Sequence, residues 1–144
     1  MIYKVLVIDD YQQKIDDVKR SIEGFFECEF YEAKFINGGM KKLREIMSKE
    51  DITVVFVDKN LPRFVDSSIV LNGGDEIVNH IRKTCAFEEY SKNIITISYS
   101  SESTENDGLY DYYIDYNSSV FMKPIIQDVL SSIERKVKCL STTE

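Results

Sequence analysis

The stretch VVFVDKNLP, residues 54–62, sets the reading of the whole chain. Four apolar residues, three of them β-branched, run into one carboxylate, Asp58, and a proline follows at position 62. Such a run is too short for a helix and carries no polar alternation, so it reads as a strand buried on both faces. Strands of that kind occur in parallel sheets covered by helices on both sides. The acid at its end is either a simple terminator or a chemical group that the strand exists to hold out.

Working outward, the same period recurs. KVLVIDD (4–10), CEFYEAKF (28–35), DITVVFVD (51–58), NIITIS (93–98) and SVFM (119–122) read as five strands. Between them the spacing turns helical. Ile15, Val18, Ile22 and Phe25 place one helix within 11–26, and Met40, Leu43, Ile46 and Met47 mark a second. Ile77, Val78, Ile81 and Cys85 sketch a third, and Leu109, Tyr112, Tyr113 and Tyr116 a short fourth. Ile126, Val129, Leu130, Ile133, Val137 and Leu140 make the last. Alternating strands and helices with right-handed crossovers give an α/β sheet, and residues 1–144 read as one domain. In such sheets the site lies at the carboxyl ends of the strands. Asp9 and Asp10, Asp58, Ser98 and Lys123 all fall at that edge.

The bulk composition narrows the function. With 43% hydrophobic and 30% charged residues the chain can bury a core, and a net charge of −7 excludes a sequence-independent grip on nucleic acid. No stretch approaches a membrane span or a signal peptide, which makes the expected location the cytoplasm. Cys28, Cys85 and Cys139 show no paired spacing and read as reduced thiols. Three carboxylates at one edge repel one another unless a cation joins them, and oxygen ligands suit magnesium, or manganese in its place. A lysine and a hydroxyl beside them are partners for a phosphoryl group, and a carboxylate can be its nucleophile.

IDD (8–10), VDKNLP (57–62), TIS (96–98) and MKP (122–124), in this order on successive strands, resemble the receiver domain of two-component response regulators. The resemblance covers essentially the whole chain. It implies a flavodoxin-like (βα)5 fold with strand order 2-1-3-4-5. It makes Asp58 the phosphoacceptor, with Asp10, Asp58 and the Asn60 backbone carbonyl on the metal and Asp9 reaching it through water. Ser98 and Lys123 would contact the phosphoryl group, and Lys123–Pro124 would be a cis bond. The expected partners are a sensor histidine kinase or phosphotransfer protein and an output protein, with the 99–138 face open to dimerisation. Such a domain accepts and loses its own phosphoryl group and turns over no separate substrate. The alternative is a pseudo-receiver, an interaction module that works without phosphorylation.

Three features depart from that pattern. Tyr99 follows Ser98 where a small residue is usual; a ring crowding the phosphoryl route predicts slow phosphoryl loss, whereas a surface tyrosine would do nothing. Val120 stands where an aromatic residue usually moves with the switch hydroxyl, a role that a tyrosine of 110–116 could take. The segment 63–74 is longer than usual and carries Phe64, Val65, Ile69, Val70 and Leu71, as a lid or partner-facing element or as a lengthened turn. His80 reads as a surface residue, and Glu102, Glu105, Asp107, Asp111 and Asp115 as a solvated face. A dehalogenase-type hydrolase needs an acid where Asn60 stands, and a nucleotide site would not tolerate the acids of DDYQQK (9–14).

Overall fold

A computed structural model of the chain describes residues 1–83, 90–101 and 108–142. In order, the elements are β1 (Tyr3–Ile8), α1 (Gln12–Ile22), β2 (Glu29–Ala33), α2 (Ile36–Ile46), β3 (Ile52–Val57), β4 (Leu61–Pro62), β5 (Ile69–Val70) and α3 (Gly73–Lys83). A 3-10 turn, Ser91–Asn93, then leads into β6 (Ile94–Ser100), followed by β7 (Tyr112–Asp115) and α4 (Lys123–Thr142). The main sheet is fully parallel with order β2-β1-β3-β6-β7, and β4 and β5 form a separate antiparallel pair. Leaving that pair aside, the order is the expected 2-1-3-4-5, and the fold is flavodoxin-like.

The apolar runs are central strands because both of their faces are covered. Val5, Val7, Val54, Phe56 and Ile97 face Ile15, Val18 and Ile22 of α1 and Ile126, Leu130 and Ile133 of α4. Leu6, Ile8, Val55 and Val57 face Ile36, Leu43 and Ile46 of α2 and Ile77, Val78 and Ile81 of α3. Burying side chains of this size contributes roughly 1.5–3 kcal/mol each. Helix α1 stops earlier than the 11–26 reading, because Gly24 turns the chain with φ 70°. Past that turn the helical phase no longer applies. Phe25 is exposed, and Phe26 packs in its place with its ring 4.7 Å from that of Tyr3.

The carboxyl-terminal half corrects two expectations. Residues 119–122 are not a strand; the fifth strand is β7, drawn from the tyrosine-rich segment read as a helix. Leu109, Tyr112, Tyr113 and Tyr116 lie on one helical face, but Tyr112, Ile114 and Tyr116 also alternate, and the edge of the sheet selects the second period. Tyr112 and Ile114 pack with α1 and α4, while Tyr113 packs with α3. Asp111 is no mere surface acid: its Oδ2 accepts the Thr96 N–H at 2.8 Å and Arg82 at 2.9 Å, while its own N–H donates to the Thr96 carbonyl at 3.0 Å. Asp115 is exposed, and Glu102, Glu105, Asp107 and Cys85 lie outside the described residues.

Beyond Pro62 the long segment folds back on itself as β4 and β5. A Ser67 hydroxyl bridging the N–H and C=O of Phe64 closes the turn, and Arg63 pairs with Glu76 of α3 at 2.8 Å. Phe64, Val65, Ile69 and Leu71 remain exposed, and Val70 packs inward. His80 is half-buried on α3.

Candidate functional site

The loops after β1 and β3 bring three acids together. Backbone bonds from Asp9 to Ala33 and from Asp58 to Ile8, each 3.0 Å, tie the ends of β2, β1 and β3 side by side. One ligand oxygen from each of Asp9, Asp10 and Asp58 lies within 4.8 Å of the others. Asp9 is buried, Asp58 half-buried and Asp10 exposed. Helix α3 closes on this edge through Gly74, whose N–H donates to the Lys59 carbonyl at 2.9 Å. The Asn60 side-chain oxygen accepts the Asn72 N–H at 3.1 Å.

The group that dominates the pocket is one the sequence reading passed over. Lys14 enters from the first turn of α1, 3% exposed, and sets its Nζ 2.8 Å from Asp9 Oδ2 and 3.2 Å from Asp58 Oδ1. The ammonium also donates to the Tyr99 carbonyl at 3.0 Å. It lies 5.2 Å from the Tyr99 ring centre and 5.3 Å from that of Tyr116, within reach of both π-faces. The contact with Asp9 Oδ2 is an ion pair off the hydrogen-bonding direction, so that oxygen keeps unused acceptor capacity. Asp9 also accepts the Tyr11 N–H at 2.9 Å.

Burial dominates the titration of both acids. It pushes Asp9 up to about 6 against the attraction of Lys14, with Asp58 adding to the rise. Asp58 is raised as well, first by burial, while Lys14 and a hydrogen bond from Ser100 pull the other way. The hydroxyl that reaches Asp58 is therefore that of Ser100. β6 runs two residues beyond the expected end at 98, which leaves Ser98 inside the strand, opposite Val57. The Ser98 hydroxyl is fully buried and has no hydrogen-bond partner among the described residues.

Lys123, Val120 and Tyr99 are the remaining expected positions. Lys123 is the exposed first residue of α4, seven residues after Tyr116, and joins no ion pair among the described residues. No described peptide bond is cis, Lys123–Pro124 included; Pro124 sits in the first helical turn, where no N–H is required of it. Val120 is exposed. Tyr99 is neither at the surface nor across the mouth of the pocket. It is among the largest fully buried side chains, edge-on to Phe56 at 5.9 Å and to Tyr116 at 5.6 Å. Its hydroxyl has no partner among the described residues, and an unpaired buried hydroxyl costs about 1–3 kcal/mol. Tyr99→Phe is therefore expected to raise stability by about 1 kcal/mol in urea unfolding; a drop of that size would show that the hydroxyl is paired.

The donor set fits a hard divalent cation: carboxylates from two loops, one with acceptor capacity left. Lys14 was legible in principle. It stands in helical phase with Val18 and Ser21, both buried, one turn after the acids. A charged residue on a buried stripe needs a partner, and the acids are the ones within reach.

No protein-family model matches the chain, and no curated protein does. Solved structures do match. A CheY-like response regulator receiver domain from Methanospirillum hungatei superposes with a TM-score of 0.65 at 17% identity, covering 100% of both chains. The Mn(2+)-bound form of response regulator Rcp1 gives 0.63 at 14% identity, over 89% of this chain and 91% of that one. A receiver domain from Methylobacillus flagellatus gives 0.59 at 19% identity, over 90% and 99%. The fold is that of CheY-like receiver domains, the class that the four sequence motifs resemble.

Proposed function

We propose that this chain is a receiver module of two-component signalling in which Asp58 accepts a phosphoryl group from a phosphohistidine of a sensor kinase or phosphotransfer protein. The observation that carries this reading is the acid trio at the carboxyl edge of the sheet, with Asp58 paired to an ammonium and bonded by a hydroxyl. An Asp58 oxygen attacks phosphorus, the P–N bond breaks, and the imidazole leaves with the electron pair and takes a proton from water. Asp10, Asp58 and the Asn60 carbonyl would hold magnesium or manganese, with Asp9 behind them, as the manganese in the Rcp1 form suggests. A bound divalent ion would supply neutralising charge to the phosphoryl oxygens. Ser100 supplies the hydroxyl beside Asp58. Phosphorylation then shifts the population of two conformations that an output protein binds unequally, a cytoplasmic switch rather than a metabolic enzyme.

A second reading, an interaction module independent of phosphorylation, is favoured by one observation: Lys14 already neutralises part of the acid cluster. Incubation with acetyl phosphate and Mg²⁺, followed by intact mass, separates the two. One added phosphoryl group in the wild type and none in Asp58→Asn is the expected result. No addition, or one that survives Asp58→Asn, favours the second reading.

A further inference from the structure

We propose that Lys14 is the cation that meets the phosphoryl group on Asp58, the role the sequence motif gives to Lys123. This inference rests on the reading of Asp58 as phosphoacceptor. Among the described residues, Lys14 is the lysine ion-paired with Asp58, and its stem is buried in the core beneath the pocket. Lys123 begins a helix in the open, beyond the exposed turn 117–121.

The ammonium has three partners: it donates a hydrogen bond to the Tyr99 carbonyl at 3.0 Å and forms ion pairs with Asp9 at 2.8 Å and Asp58 at 3.2 Å. Phosphorylation changes only the last of these. When Asp58 becomes an acyl phosphate its carboxylate charge is gone, and negative charge reappears on the phosphoryl oxygens two bonds further out. The donor that faced Asp58 then turns to a phosphoryl oxygen while Asp9 and the Tyr99 carbonyl hold the other two. A compact charge on a flexible stem suits such a handover. The short reach of the move matters, because α1 need not shift and the rings of Tyr99 and Tyr116 keep the ammonium aimed. The same contact carries the event to β6, since Lys14 holds the backbone of Tyr99, next to Ser100.

The test compares variants that keep the pocket charge balanced. Lys14→Met is made in an Asp9→Asn background and compared with Asp9→Asn alone, with folding checked by circular dichroism. Lys14→Arg and Lys123→Met are made in the otherwise native chain. The rate of phosphoryl uptake from acetyl phosphate with Mg²⁺ is followed by intact mass. Loss of Lys14 should slow uptake on the order of a hundredfold, as removal of one charge-stabilising group does. Lys14→Arg should recover part of that, and Lys123→Met should cost less than Lys14→Met. A packing role for Lys14 would lower the melting temperature without slowing uptake by the folded variant. Equal rates with and without Lys14, or a greater loss from Lys123→Met, overturns the inference while leaving Asp58 as acceptor. A wild type that takes up no phosphoryl group overturns both.

Discussion

Lys14→Met in the native background should lower folding stability by roughly 3–5 kcal/mol, the cost of removing one partner from a buried ion pair. Methionine keeps the length and apolar character of the stem, so the loss reports the charge. Without the ammonium, Asp9 and Asp58 face each other beside Asp10. Asp9 is already pushed up to about 6 with Lys14 in place, and its removal raises both acids further. An acid whose folded pKa lies above its unfolded value binds its proton more tightly when folded, so folding is favoured as pH falls and the penalty is greatest above the folded pKa. The deficit of the variant should therefore be largest at mildly alkaline pH and shrink under mildly acidic conditions. Asp9→Asn should restore much of it, a coupling that a double-mutant cycle in urea would measure. A deficit under about 1 kcal/mol at every pH would mean that the acids are better solvated than their burial implies.

Gly74→Ala should be nearly as costly. A β-carbon there would run into the Asp58 carbonyl oxygen and lie 2.9 Å from the Val57 Cγ1 and 3.1 Å from the Asp58 carbonyl carbon. Two of these three atoms are backbone and cannot swing aside. Either α3 lifts from the end of β3 or Asp58 moves, at about 3 kcal/mol, the upper range for an overpacked core. Because the collision is with Asp58 itself, phosphoryl uptake should fall along with the melting temperature. Gly38, inside α2, is the control: nothing lies within 4 Å of its added carbon, and alanine there should gain up to about 1 kcal/mol. Equal melting temperatures for the two variants would remove the steric argument.

The strands around Asp58 were legible because a run apolar on both faces has one home, the middle of a covered parallel sheet. Asp9, Asp10 and Asp58 followed, since side chains at the ends of adjacent parallel strands must be neighbours. The far edge was less legible, for a reason particular to its residues. YDYYIDY (110–116) satisfies both a helical and an alternating period, and SVFM offers a competing apolar run. Choosing the second moved the strand end to Lys123 and, with it, the expected cation. Ending β6 at residue 98 in the same way hid Ser100. Lys14 was overlooked because helix α1 was read through its apolar positions alone, although a buried stripe interrupted by a charge is the more informative pattern.

The ambiguity of that tyrosine-rich strand gives Asp111 a meaning of its own. β7 lies at the margin of the sheet, where pairing on one side alone fixes its position. A slip by one residue would bring Asp111 and Asp115 to the side now taken by Tyr112, Ile114 and Tyr116, while presenting tyrosines on either face much as before. Tyrosines alone thus penalise the slip weakly. Asp111 answers it by gripping Thr96 through both its main chain and its carboxylate, with Arg82 of α3 as a third point. It works as a registration pin, making one alignment of an otherwise permissive strand distinct from its neighbours and thereby fixing where Tyr116 stands beside Lys14.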